Sequence, residues 1–249
     1  MTNEIAKLFN GDCLEVMRDL SNNSIDLLFC DLPYGETSCK WDSQINLEIF
    51  WKEVNRICKI NCPMFFTTTA RFGVELINSN PKNFRYDLVW VKSSSVGFLN
   101  AKKMPMRKHE LIYVFYRKLP HYDLSSHSHK FINDYNEAKN INKELKCYGE
   151  GSHNSEYIGE ARKANVYDPP LPNSIIEIKS EKGKHTTQKP IELIKWLLKY
   201  YSKLGDTILD PTMGSGTTII ACKQMNRNFI GIEKDEKIYK DAIERINKI

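Results

Sequence analysis

Five apolar runs in the first half of the chain are short, largely unbroken and each followed by turn residues: Leu8-Phe9, Ile25 to Cys30, Met64-Phe65-Phe66, Leu88-Val89-Trp90-Val91 and Leu111 to Tyr116. A strand buried on both faces reads this way, because neither face needs polar residues. Between these runs, Asn46 to Cys58 places Leu47, Phe50, Trp51, Val54 and Ile57 at helical spacing, and Asp12 to Leu20 predicts a shorter helix. The alternation predicts an α/β fold: a mostly parallel sheet with helices on both faces.

The same alternation returns near the C-terminus. Ile191, Ile194, Leu197, Leu198, Tyr201 and Leu204 form one apolar stripe after Pro190, and Gly205 is expected to end that helix. Thr207-Ile208-Leu209 predicts a strand, Gly216 to Met225 a helix and Asn228 to Ile232 a strand. A last helix from Asp235 is expected to turn Ile238, Ala242 and Ile246 inward. From about residue 120 periodicity fades, and Asp168-Pro169-Pro170-Leu171-Pro172 forbids regular structure. The organisation expected is one domain in two halves, 1–119 and 186–249, interrupted by an irregular insertion over 120–185. His121, His127 and His129 lack a fourth ligand at zinc spacing, so no metal is expected.

With 249 residues, 41% of them hydrophobic, the chain is able to bury a full core. No apolar run approaches the roughly 20 residues of a membrane helix. Met1-Thr2-Asn3-Glu4 has no export signature, and seven scattered cysteines without C-x-x-C spacing point to reduced thiols and a cytoplasmic location. Charge is unevenly placed. Residues 82–119 hold nine Lys or Arg against two acids, interleaved with Trp90, Phe98 and Tyr113. That is the footprint of a surface that meets phosphates, with Lys92, Lys102, Lys103, Arg107 and Lys108 as candidate phosphate contacts and a plain solvated face as the alternative.

Two constellations carry chemistry. Asp31-Leu32-Pro33-Tyr34 closes the run Ile25 to Cys30, so a carboxylate, a fixed turn and an aromatic ring emerge together at a strand end, where open α/β sheets keep their ligands. A carboxylate beside a flat ring suits a planar ligand bearing an amino group. Gly35 to Asp42 continues as a polar loop in which Lys40 and Trp41 are further candidate contacts.

The second constellation is Asp210-Pro211-Thr212-Met213-Gly214-Ser215-Gly216-Thr217-Thr218, between a strand and a helix. Its glycines allow close backbone approach, and the helix N-terminus offers free N–H donors. Glu233 ends the next strand, the place for an acid that binds ribose hydroxyls. The unit reads as a nucleoside-cofactor site. A P-loop would need Lys after Gly216, and a dinucleotide fingerprint would need glycine where Ile219 stands. Asp210 opposes a pyrophosphate and favours a ligand carrying an ammonium, which S-adenosyl-L-methionine does.

Together, and in this order, these residues resemble the amino-methyltransferases of DNA in their β-type permutation, in which a D-P-P-Y-like motif precedes D-P-F-x-G-S-G-T. Asn10-Gly11-Asp12, Thr187-Gln188-Lys189-Pro190, Gly231-Ile232-Glu233, Trp90-Val91-Lys92 and His109-Glu110 match further blocks. The resemblance covers nearly all of the chain outside the insertion. It implies a seven-stranded methyltransferase sheet and an insertion that recognises the target sequence. It implies that Asp31 and the Leu32 carbonyl accept the two hydrogens of a flipped base's amine, with Pro33 and Tyr34 completing the catalytic set. By the same resemblance Asp12, Cys13, Asp31, Lys189, Asp210, Pro211, Thr212, Gly214, Ser215, Gly216, Thr217, Thr218 and Glu233 hold S-adenosyl-L-methionine. DNA is the implied partner, and a homodimer and a cognate restriction endonuclease are compatible with it.

Two residues depart from the family pattern: Leu32 stands for the commoner Pro, and Thr212 for the usual Phe. Carbon-5 methylation would need a Pro-Cys pair, and the chain has only the reverse, Cys62-Pro63. An opening Asp is commoner among adenine enzymes, so adenine N6 is the expected target. Cytosine N4 is the alternative, followed by an RNA or protein amide.

Overall fold

The computed structural model describes residues 6–35, 44–129, 167–181 and 188–248. Lys40, Trp41, Thr187 and most of the expected insertion lie outside the described residues. The chain divides into two compact units, Met1–Tyr122 with Ser174–Ile249, and Asp123–Asn173. In the smaller unit, strands β6 (Ser128–His129) and β7 (Tyr167–Asp168) pair antiparallel, and the buried His127 ring nitrogen Nδ1 lies 2.9 Å from the Pro169 carbonyl.

The larger unit is built on one sheet. Its strands are β1 (Ala6–Asn10), β2 (Leu27–Cys30), β3 (Met64–Thr68), β4 (Phe84–Val96), β5 (Arg107–Phe115), β8 (Ile175–Glu177), β9 (Thr207–Asp210) and β10 (Asn228–Glu233). They lie in the order β1-β10-β9-β2-β3-β5-β4-β8. β1, β10, β9, β2 and β3 run parallel to one another, whereas β5 is antiparallel to both β3 and β4. β2, β3 and β9 are buried along their whole length, as unbroken apolar runs require. β4 differs from the buried strand expected. It alternates, with Leu88 and Trp90 buried and Val89 and Val91 half-buried, because it lies near the sheet edge.

The sheet has eight strands where the resemblance implies seven. The extra one, β8, runs parallel beside β4 and is only three residues long; Trp90 Nε1 donates to the Ile178 carbonyl at 2.8 Å just past it. A short strand after a proline run carries little periodicity, so the sequence reading placed it in the insertion.

The helices follow the apolar patterns with instructive exceptions. The expected Asp12–Leu20 helix is one α-turn, α1 (Cys13–Val16), running into a 3₁₀ turn at Met17–Asp19. α2 (Leu47–Ile57) is capped by Asn46, whose side chain accepts from the Ile49 N–H at 3.0 Å. α3 (Ala70–Ser79) has no counterpart in the sequence reading, although Thr69 caps it and it buries Phe72 and Leu76 four residues apart.

α4 (Ile191–Tyr201) stops one turn short of Leu204, which is 74% exposed, contrary to the expected stripe. Ser202 is extended, and Arg227 donates to the carbonyls of Leu198 and Ser202 at 3.3 and 2.9 Å, satisfying the helix end there. α5 (Thr217–Gln224) and α6 (Glu236–Asn247) complete the fold; α6 buries Ala242 and Ile246, with Ile238 half-buried. The core between β2, β3 and α2 is an aromatic cluster in which Phe66 packs edge-on to Trp51 and Phe115 at 5.3 and 5.5 Å.

Candidate active site

Parallel pairing brings four acids to one edge. β1, β10, β9 and β2 are successive neighbours, and their C-terminal ends lead into Asp12, Glu233, Asp210 and Asp31 respectively. At about 4.8 Å between strands, the row spans on the order of 15 Å. The loop after β9 holds no Lys or Arg of its own, so the row suits an uncharged or cationic ligand laid across the strand ends.

Asp31 is the most heavily served of the four. Oδ1 accepts from the Tyr34 hydroxyl at 2.8 Å and from the Thr67 hydroxyl, while Oδ2 accepts from Lys189 Nζ at 2.6 Å. A carboxylate offers about four acceptor positions, so these donors leave one, on Oδ2. The Asp31 carbonyl is held by the Thr212 hydroxyl at 3.1 Å, and that hydroxyl also lies 3.3 Å from Cys30 Sγ. Thr212 thus ties the end of β2 to the loop after β9, a contact the usual Phe would not make.

Leu32 is buried and Pro33 half-buried. The Tyr34 ring tilts against Phe72 with centroids 5.2 Å apart. Burial, reinforced by the Asp31 charge, pushes its phenol well above the ordinary range, so it remains a proton donor to Asp31. Tyr34 also borders an open cleft of about 660 Å³, lined with Gln44, Thr69, Phe72, Glu75 and Arg107. The cleft and the carboxylate therefore share one aromatic wall.

Lys189 sits one residue before Pro190, the N-cap of α4, with its side chain 11% exposed. Burial disfavours its charge, but the carboxylates of Asp31 and Glu110 outweigh that and hold the ammonium above its ordinary range. Glu110, on β5, has no assigned role in the sequence reading. Its Oε1 forms an ion pair with Lys92, and its buried Oε2 lies 3.6 Å from Lys189 with no hydrogen-bond donor among the described residues. Lys92–Glu110–Lys189–Asp31 is thus a row of alternating charge. Lys92 is turned into it, beside the Trp90 ring at 5.3 Å, while Lys102, Lys103, Arg107 and Lys108 are exposed on the β4–β5 hairpin.

The loop between β9 and α5 is shaped by its own short hydrogen bonds. Gly216 caps α5 with φ +76°, a conformation disfavoured for other residues, and a Cβ there would lie 2.8 Å from Ile246. Gly231 on β10 lets Met213 and Ile219 approach where a Cβ would meet them at 2.6 and 2.9 Å. Gly214 N–H donates to Glu233 Oε2 at 3.0 Å, and the Asp235 N–H to Oε1 at 2.8 Å. Burial raises Glu233 against those bonds.

Asp210 is only 3% exposed and accepts from the Thr212 N–H at 3.2 Å and from the Thr218 hydroxyl; burial outweighs both and pushes its carboxyl to about 7. Pro211 and Thr217 are buried, and Ser215 is half-buried. Arg245 of α6, absent from the sequence reading, donates to the Ser215 carbonyl and hydroxyl at 2.9 and 3.1 Å and to the Thr217 hydroxyl at 2.9 Å. A cation fixed by fold contacts leaves no sequence signal.

At the outer end of the row, Asp12 caps α1 through the Leu14 N–H at 2.9 Å and pairs with Lys234 at 3.0 Å. Burial opposes its charge, but those bonds carry the carboxyl below its ordinary value. Cys13 beside it is buried, which pushes its thiol up to about 12 and keeps it neutral.

The model of the DNA methylase family matches residues 25–244 of this chain. The type II methyltransferase M.HinfI of Haemophilus influenzae is 26% identical across 97% of this chain and 68% of its own length. M1.MboII of Moraxella bovis is 26% identical across 99% of this chain and 98% of its own. M.HindIII of Haemophilus influenzae is 47% identical over 72 residues, 28% of this chain and 23% of that enzyme. Among solved structures, the M1.HpyAVI–SAM complex superposes with a TM-score of 0.64 at 19% identity, covering 97% of this chain and 100% of that one. The PvuII cytosine-N4-specific DNA methyltransferase gives 0.66 at 14%, covering 99% and 92%. At these identities the structural likeness establishes the fold. The family match runs through both the Asp31 motif and the Asp210 loop, and this chain belongs to the N6/N4 DNA methylase family.

Proposed function

We propose that this DNA methylase transfers the methyl group of S-adenosyl-L-methionine to the exocyclic N6 amine of an adenine flipped out of duplex DNA. The observation that carries the reading is the row of acids ending at Asp31, whose carboxylate retains one acceptor position beside an aromatic-walled cleft. The donor set fits the cofactor. Glu233 and Asp12 suit ribose and adenine groups, Asp210 suits an ammonium, and the loop carries no lysine for a phosphate. When bound, S-adenosyl-L-methionine supplies a methyl carbon activated by a sulfonium.

The remaining work falls to the chain. An adenine amine is a poor nucleophile because its lone pair is delocalised into the ring. Asp31 Oδ2 and the Leu32 carbonyl accept its two hydrogens, drawing the nitrogen toward tetrahedral geometry and freeing the lone pair for direct in-line attack. Pro33 fixes the turn, and Tyr34, anchored through its hydroxyl, offers its face to the base. As the nitrogen becomes cationic and the sulfur–methyl bond breaks, the negative charge of Asp31 stabilises it, and one of the two amine protons then leaves by way of the Asp31 carboxylate to solvent, giving the neutral methylamine. Covalent attack by a thiol is disfavoured, since Cys30 is fully buried and its thiol is pushed up by burial and by Asp210.

Flipping costs a few kcal/mol, offset by stacking and by contacts to phosphate from Lys102, Lys103, Arg107 and Lys108. In this reading 1–119 is the catalytic half, 186–249 the cofactor half and 120–185 the target-recognition insertion, with Lys40 and Trp41 as further DNA contacts. Nucleoside mass spectrometry of DNA from a host expressing the protein tests it, with N6-methyladenine as the expected product. N4-methylcytosine would reassign the base and keep the site; unmodified DNA, with no labelled methyl transfer in vitro, would sink the reading.

A further inference from the structure

The hairpin joining β4 to β5 stands out for what it exposes. Leu111 of β5 pairs with Thr68, the last residue of β3, and with Val89 of β4. β4 nevertheless continues seven residues further to Val96, which pairs with Arg107 across a bulge. β5 covers the same stretch in four residues, from Leu111 to Arg107, so the paired strands project on the order of 13 Å past the sheet edge that carries Asp31. Arg107, at the outer end of the paired strands, lines the cleft beside Tyr34, which places the projection on the same side as the proposed base site.

At the tip, Gly97 adopts a left-handed conformation and a 3₁₀ turn spans Phe98–Asn100, closed by hydrogen bonds from the Asn100 and Ala101 N–H groups to Gly97 and Phe98 carbonyls at 2.9 and 3.0 Å. That turn presents Phe98 at 82% exposure and Leu99 at 96%, with Met104 and Met106 also exposed behind them. Large apolar side chains held out on an ordered turn call for an apolar partner. Around them the charge is of one sign: from Lys92 to Lys108 the chain holds five cations and no acid. A second copy of this hairpin would repel it. A nucleic-acid duplex would attract it and, between its stacked bases, would also supply an apolar slot.

We propose that Phe98 and Leu99 form a wedge that enters the base stack next to the target nucleotide, while Lys102, Lys103 and Lys108 hold the flanking phosphates. The wedge occupies the space that the departing base leaves and so favours the flipped state. Its role is to position the substrate. The inference rests on the DNA-methylating reading above and adds to it the element that opens the duplex.

The test compares the wild-type protein with the double variant Phe98→Ala/Leu99→Ala on two duplexes containing the site located by modified-base sequencing. In one the target is paired normally, and in the other it faces an abasic position. An unpaired target costs less to extrude, so a lost wedge should matter little there. The expected result is a fall of about tenfold or more in kcat/KM on the paired target, with the abasic duplex within about threefold of wild type. Equal loss on both duplexes, or no loss on either, overturns the wedge. A drop from dimer to monomer in sedimentation equilibrium, accompanying an equal loss, assigns the surface to a second copy and likewise overturns it. Wild-type protein inactive on both duplexes would overturn the methylation reading itself and the wedge with it. Activity of wild type with an undiminished variant removes the wedge alone.

Discussion

Asp31 and Asp210 are the same residue in the same kind of place, the end of a buried parallel strand with a proline one or two residues on, and on adjacent strands. Their surroundings differ. Asp31 is half-exposed and receives an ammonium, a phenol and a hydroxyl from three separate elements. Asp210 is buried beneath its own loop, with an N–H and a hydroxyl for partners, and burial pushes it to about 7. One site holds a carboxylate among donors from across the fold, beside the Tyr34 ring that walls a cleft. The other seals its acid under a loop, and in the proposed reading the ammonium of the cofactor meets it there. Strand-end position alone does not assign chemistry; the charges that the rest of the fold delivers to it do.

The comparison breaks most severely at Asp31. Asp31→Ala should lower methyl transfer by about a thousandfold or more while leaving cofactor affinity within about threefold. Labelled-methyl turnover alongside calorimetric titration measures both, and substantial residual turnover would remove Asp31 from the chemistry. Lys189→Met should follow. It leaves the Asp31 and Glu110 carboxylates facing each other without the intervening ammonium, and losing one partner of a buried pair costs about 3–5 kcal/mol, here reduced by the partial exposure of Asp31. Turnover should fall roughly a hundredfold, while Lys189→Arg, which keeps the cation, should lose less. Equal loss in both variants would mean that Lys189 only supports the fold.

At Asp210 the expected effect is smaller and its sign is set by burial. With its folded pKa raised to about 7, Asp210 takes up a proton on folding above the ordinary carboxylate range, so its contribution to stability declines as pH rises toward 7. A bound cation favours the ionised form. Cofactor affinity should therefore climb about fivefold from pH 6 to pH 7, about twofold more by pH 8 and level off above, with proton release seen by calorimetry in buffers of different ionisation enthalpy. Asp210→Asn should bind more weakly and without that pH dependence; a persistent dependence would place the titration elsewhere. The mildest change is Thr212→Val, which removes the bond between the two strand ends. It should cost about 1 kcal/mol of stability in denaturant titration and shift turnover only a few-fold.

Much of this site was legible because its parts are local in sequence. Asp31 to Tyr34 and Asp210 to Thr218 are contiguous, and strand, turn and helix signals surround them. What was not legible joins distant segments: Lys189 reaches Asp31 across 158 residues, and Glu110 becomes a partner only because β5 inserts between β3 and β4. α3 carries little sequence signal because its buried face is narrow, and α4 ends before Leu204 because Ser202 turns extended and Arg227 caps the last carbonyls. In sequence Phe98 reads as an aromatic interleaved with the basic stretch, and neither it nor Leu99 carries a signal of how far it is exposed.

By itself the sequence determined the alternation of buried strands and amphipathic helices, the two strand-end acids with their turns, and the glycine loop, since periodicity and turn chemistry act over a few residues. Only the tertiary structure decided which acid receives a lysine, which is sealed under its loop, and that a hairpin carries apolar side chains beyond the sheet edge. Electrostatic environment and exposure are sums over neighbours in space, and those neighbours are set by strand order.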